Sequence, residues 1–225
     1  MASKKTAGVM KLVKLGLILF APAILLILLS TRSCNHKFKK LDDYGAVPTF
    51  TVEGADGKVY TKDDFKGKIV LMVNIQENCL DTCNINLFSF EKILYQEIQS
   101  HKKSYKDVVI LCFANDANGN PVADLSTTQD MLTDKIHRFD SQKWIVVKGN
   151  SKTVYSLEHN GTNLVEASEK ENGANAYQAL MLLMDKEGQL RMVLPGKEEG
   201  MFRRMKESLA LLMKQYDLEA DSKKR

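Results

Sequence analysis

The chain has 225 residues, 44% hydrophobic and 27% charged, with 13 glycines and 4 prolines, a composition that excludes disordered and collagen-like classes and fits an ordinary globular protein. Its net charge of +4 lies largely in lysines flanking an N-terminal apolar run and in the tail Lys223-Lys224-Arg225, so no nucleic-acid partner is expected. Four cysteines, Cys34, Cys79, Cys83 and Cys112, are too few for a disulfide scaffold, and only Cys79 and Cys83 are closely spaced.

Residues 1–14 form a short basic segment with Lys4, Lys5, Lys11 and Lys14. Residues 15–29 carry no charge, and with Leu12 and Val13 the apolar stretch reaches about the 17–20 residues that cross a bilayer. Ser30-Thr31-Arg32-Ser33 lacks the small-residue pattern of a cleavage site, so an uncleaved transmembrane signal anchor over 12–30 is expected, with membrane lipid as its partner. A lysine-led first segment favours export of everything after it, into a compartment where disulfides persist. Residues 31–47 read as a polar linker, 48–216 as one folded domain of ordinary size and 217–225 as a charged tail.

Within the domain, Phe50-Thr51-Val52, the turn Ala55-Asp56-Gly57 and Val59-Tyr60-Thr61 predict a β-hairpin. A second turn ending in Gly67-Lys68 launches an apolar, β-branched strand from Ile69 to Ile75, which ends in the polar corner Gln76-Glu77-Asn78. Cys83, Leu87, Phe90, Leu94 and Ile98 then recur on one face of a helix running to about Gln99. The continuous apolar run 108–113 predicts a buried parallel strand, and the pair of strands joined by that helix predicts a right-handed βαβ unit. A helix over 126–139, a strand over 144–147 and a short helix over 151–157 follow. Residues 159–175 read as a polar insert with turns at Asn160-Gly161 and Asn172-Gly173. Strands over 179–184 and 189–194 form a second hairpin, and Met201, Met205, Leu209, Leu212 and Tyr216 give the stripe of a final helix. This order is that of an α/β, thioredoxin-like sheet flanked by helices, with an N-terminal β-hairpin extension.

Cys79 and Cys83, between the strand end and the helix, are the candidate catalytic residues and equally the candidate metal ligands. Unpaired N–H groups and the positive dipole end at a helix N-terminus favour a thiolate, while Glu77 and Asp81 oppose one. Two thiolates serve either disulfide exchange or a soft ion such as copper(I), and spacing leaves both open. Cys112, inside an apolar strand, reads as an inert core residue, and Cys34 as a juxtamembrane thiol. Of the histidines, His36 and His101 read as solvated, His137 lies within a helical pattern, and His159 in the insert is the one with the reach to approach the thiols. Met181, Met184, Met192, Met201, Met205 and Met213 fall on predicted core faces and read as gap-fillers.

Several pieces in this order resemble the Sco/SenC family over roughly residues 50–213: Phe65-Lys66-Gly67-Lys68; Cys79-Leu80-Asp81-Thr82-Cys83 followed by Leu87; Phe113-Ala114-Asn115-Asp116; Trp144-Ile145-Val146-Val147-Lys148-Gly149; and Leu183-Met184-Asp185-Lys186-Glu187-Gly188. The resemblance implies a membrane-anchored thioredoxin-like domain on the periplasmic side of the plasma (inner) membrane. It also implies copper held by Cys79, Cys83 and a distal histidine, and a role in assembling the copper centre of cytochrome c oxidase, whose subunit would be the protein thiol or disulfide partner. That histidine would fall at about Tyr177 or Gln178, where the sequence has none, and Leu80 and Asn84 stand where the family has prolines. The three residues between the cysteines and the lack of a proline just before Leu180 count against a generic thioredoxin and for the Sco branch. The expectation is a Sco-like thiol-disulfide protein lacking the copper-ligand histidine, with a copper(I) metallochaperone, third ligand unassigned, and a redox-inactive tethered interaction domain as the alternatives.

Overall fold

The computed structural model describes residues 16, 18, 20–27, 40–77 and 85–222, and the chain divides into two compact units, 1–39 and 40–225. In the first unit residues 20–27 are helical and expose Phe20, Ile24 and Leu26. Among the described residues no helix is long and apolar enough to cross a membrane; much of the expected 12–30 anchor lies outside them.

In the second unit the elements are β1 (Thr51–Gly54), β2 (Val59–Thr61), β3 (Ile69–Gln76), α1 (residues 87–100), β4 (Val108–Asn115), α2 (Ser126–Lys135), β5 (Trp144–Lys148), α3 (Ser151–Tyr155), β6 (Glu158–His159), β7 (Thr162–Asn163), α4 (Leu164–Asn172), β8 (Leu180–Met184), β9 (Leu190–Pro195) and α5 (Glu199–Ser222). Seven strands form one sheet in the order β2-β1-β5-β4-β3-β8-β9. β3, β4 and β5 are parallel, while β1, β8 and β9 join antiparallel. This is the thioredoxin-like sheet expected from the element order, with the β1–β2 hairpin added beyond β5.

The two-residue period of a strand sorts the core onto the two faces of the sheet. Ile69, Leu71, Val73 and Ile75 of β3 and Val108, Ile110, Cys112 and Ala114 of β4 face one side, where α1, α2 and α5 pack. Val70 and Met72, with Val109, Leu111 and Phe113, face the other, beneath α3, α4 and the segment that enters through Val47. The predicted stripe of α1 is the buried one, Leu87, Phe90, Leu94 and Ile98. The helix widens to π geometry over Glu91–Tyr95, and the rings of Phe90 and Tyr95 each meet Trp144 edge-on, 5.0 Å between centroids. Met181, Met184, Met192 and Met205 are buried in these two cores, as gap-filling residues should be.

Three differences from the sequence reading concern loops and ends. α2 stops at Lys135, because the chain turns outward through Ile136 and the left-handed Arg138, so His137 lies in a turn and not in a helix. The insert is more ordered than its polarity suggests: β6 and β7 form a tight hairpin around Asn160 and Gly161, and Asn163 then caps α4 by accepting from Val165 and Glu166 N–H groups. α5 continues to Ser222, past the apolar stripe that ends near Tyr216.

Candidate functional site

In an open α/β sheet, function collects where parallel strands end. Here that edge is formed by Gln76 of β3 and Asn115 of β4, which are register partners. The Glu77 N–H donates to the Asn115 carbonyl at 2.8 Å and fixes the point where the chain leaves the sheet. It returns at Ile85, which is buried, and the Asn86 N–H donates to the Gly196 carbonyl at 2.7 Å. The Gly196 N–H in turn donates to the Ala179 carbonyl at 2.6 Å, and a Cβ on Gly196 would meet the Ile85 side chain at 2.6 Å, so only glycine allows this close approach. Both ends of the cysteine-bearing segment are therefore pinned at one edge of the sheet.

Cys79 and Cys83 themselves lie outside the described residues, in the stretch 78–84. The helix that follows corrects one expectation. It starts at Leu87, and Asn86 caps it by accepting from the Ser89 N–H at 3.0 Å. The described part of the predicted stripe thus begins at Leu87, Cys83 lies outside the described residues, and one of the free N–H groups at this helix N-terminus is already occupied by a side chain.

Beside the edge, on the face carrying Val70 and Met72, the core turns polar. The Asn115 side-chain amide donates to the Asn74 side-chain carbonyl at 2.8 Å and to the Ser151 hydroxyl at 3.0 Å; that hydroxyl lies 3.5 Å from the Tyr177 hydroxyl. All four residues are buried. The Asn74 amide nitrogen and the Asn115 amide oxygen have no partner among the described residues. Burial pushes the Tyr177 phenol above its ordinary pKa, with the bond to Ser151 opposing, and burial drives Tyr155 further up, so both are neutral at physiological pH. Gly119, with a left-handed φ of 81°, lies so close that a Cβ there would stand 2.8 Å from the Tyr177 hydroxyl and 3.0 Å from the Gln178 amide.

Tyr177 and Gln178, the positions to which the resemblance assigns an imidazole, are thus buried in the turn before β8. A neutral phenol and a carboxamide are poor donors for copper(I), which prefers thiolate and imidazole. No described histidine replaces them. His101 ends α1 beside Glu97, 3.2 Å away. His159 packs at a tilt against Tyr44, 4.7 Å between ring centroids, and, with Leu190, lines an apolar groove of about 170 Å³. Leu190 pairs with Met184, and Met184 with Val70 at the start of β3, the opposite end from Gln76. His159, the histidine with the reach to approach the thiols, thus has its ring engaged at the other end of the sheet from Gln76. His36 lies outside the described residues. Cys112 is the inert core thiol expected, fully buried and pushed up to about 12 by loss of solvation.

Sequence reasoning passed over a cleft of about 280 Å³ beside the edge, with Gln76, Ser168, Asn172, Asn175, Gln178 and Lys197 among its lining residues. The signal was available in the insert, where the carboxamides Asn172, Asn175 and Gln178 recur at every third position.

The family model for SCO1/SenC matches residues 39–213. Among solved structures, a putative electron transfer protein from Aquifex aeolicus VF5 is 17% identical, with a TM-score of 0.52 over 76% of this chain and 98% of that one. Yeast Sco1, in a structure with copper bound, is 17% identical with a TM-score of 0.48, covering 74% and 93%. BsSco, described as having a disulfide switch and as a member of the Sco family of cytochrome c oxidase assembly proteins, is 18% identical with a TM-score of 0.45, covering 70% and 88%. A search of curated proteins found no match. At these identities the Aquifex likeness speaks for the fold alone; the sequence model spans nearly the whole folded unit, and by that match the chain belongs to the SCO1/SenC family.

Proposed function

We propose that the chain is a membrane-tethered, exported thiol-disulfide protein that acts through Cys79 and Cys83 in the maturation of a respiratory copper site, its partner being the copper-bearing subunit of a cytochrome oxidase. The observation that carries this reading is the pinning of both ends of the cysteine-bearing segment at the C-terminal edge of the sheet, through Glu77 to Asn115 and Asn86 to Gly196. The exchange of the family's imidazole for buried Tyr177 or Gln178 favours electron transfer over metal carriage, because it removes a donor without touching the dithiol. The residues 12–30 would insert in the plasma (inner) membrane and leave the folded unit on the periplasmic side.

In the reaction the Cys79 thiolate attacks one sulfur of the partner's disulfide. An S–S bond forms to Cys79, the partner's S–S bond breaks, and the departing thiolate takes a proton. The Cys83 thiolate then attacks Cys79, closing the internal disulfide and releasing the second partner sulfur. Two electrons have passed to the partner, which leaves as a dithiol ready for copper. Copper(I) as cargo on the same two thiolates is the second reading, supported by their softness.

Redox titration and Cu(I) titration of the reduced full chain separate these. The expected result is a defined dithiol potential, absent in Cys79→Ser and Cys83→Ser, with weak copper binding. Tight one-to-one copper binding lost in either variant would move the assignment to a metallochaperone. Silence in both titrations, with a double Cys79→Ser, Cys83→Ser variant fully active in cells, would leave a tethered interaction domain.

A further inference from the structure

The insert between α3 and β8 has no role in the exchange written above, yet half of it returns to the same edge. After the β6–β7 hairpin, α4 and the turn behind it place Ser168, Asn172 and Asn175 along one wall of the 280 Å³ cleft. Gln76, Gln178 and Lys197 line the remainder, together with small residues and Pro195. Gln76 is the last residue of β3 before the chain leaves toward the cysteines, and Pro195 and Ala179 adjoin the Gly196 amide and carbonyl that anchor its return. The cleft therefore lies between the points where the cysteine-bearing segment departs and rejoins.

Its chemistry selects a ligand class. Four of the lining side chains are carboxamides, and those of Gln76 and Asn175 each present a donor and an acceptor, the alternation an extended peptide backbone offers in return. Among its described lining residues there is no carboxylate, imidazole or thiol, and the charged one is Lys197. Among the described residues the Gln76 and Asn175 carboxamides and the Lys197 ammonium have no hydrogen-bond or ion-pair partner. At about 280 Å³ the cleft suits a short segment and not a folded surface.

We propose that this cleft binds the backbone of an extended polypeptide segment flanking the partner's disulfide. This rests on the dithiol reading above, and the exchange step is the one written there.

The test uses the reduced full chain in detergent micelles and a series of disulfide peptides that share one leaving thiol but carry none, two or four capped neutral residues beside the cysteine. The second-order rate constant is expected to rise about tenfold along the series, the worth of one or two net hydrogen bonds. Gln76→Ala and Asn172→Ala, each checked for native circular dichroism, flatten that rise. A rate independent of length, or variants that keep the full length dependence, would overturn the proposal. A peptide with serine for cysteine reports binding alone. Saturable binding weakened by Gln76→Ala supports the cleft even if no disulfide is reduced, in which case only the dithiol reading fails; no binding to a chain that does reduce disulfides overturns the cleft.

Discussion

The two faces of the central strands are built differently. On the side of α1 and α5 the inward residues of β3 and β4 are apolar from first to last, ending in Ile75 and Ala114. On the other side the run begins Val70, Met72 and Val109, Leu111, Phe113 and ends in Asn74 and Asn115, joined to Ser151 and Tyr177. A face that is apolar throughout gains free energy from every residue it buries. One that ends in a bonded polar cluster gives up part of that gain, because such groups are costly unless every partner is in place. The polar cluster lies at the edge where the cysteine-bearing segment leaves and returns, so the concession falls where positional specificity matters most.

The largest effect should come from breaking the apolar face. Phe90→Ala removes a fully buried ring that packs against Trp144 and Phe202 and should cost about 3–5 kcal/mol in denaturant unfolding. On the polar face, Asn115→Leu strands the Asn74 oxygen and the Ser151 hydroxyl without their donor, and a loss of about 1–3 kcal/mol is expected by the same measurement. Equal costs for the two changes would mean that the faces are not distinct.

Titration sharpens the contrast from the apolar side. The Cys112 thiol is raised from 9.0 to about 12 by burial, so above pH 9 the unfolded chain loses a proton that the folded one keeps. Fewer protons on the unfolded state make stability fall as pH rises, with a limiting slope of about 1.4 kcal/mol per pH unit from this group. Stability curves between pH 9 and 10, where the raised tyrosines add the same slope to both chains, should be shallower in Cys112→Ala; an unchanged slope refutes the assignment. The smallest effect belongs to Tyr177→Phe. It deletes one long hydrogen bond to Ser151 and should lower stability by about 0.5–1.5 kcal/mol.

Local signals made most of the fold legible. The β-branched run from Ile69, the stripe Leu87, Phe90, Leu94 and Ile98, and the apolar run from Val108 each report a period that burial enforces. Of the candidate site, the sequence offered the two cysteines, which lie outside the described residues. Where α1 begins was misread because Cys83 fits the helical spacing while Asn86, a better cap, ends the competition three residues later. The insert was hard to read because α4 is held by the Asn163 cap and a few contacts, with little apolar periodicity of its own.

By itself, then, the sequence determined the order of strands and helices, the apolar stripes that bury them and the close spacing of Cys79 and Cys83 along the chain after the end of β3. It did so because periodicity and short-range turn chemistry are properties of neighbours along the chain. Only the tertiary structure decided that Asn74 and Asn115 meet, that Tyr177 is buried against Ser151, that His159 belongs to the far end of the sheet, and that Asn172 and Asn175 come to line a cleft with Gln76. Those are contacts between residues distant in sequence, fixed by sheet register and by the path of an insert, and neither leaves a periodic trace in the chain.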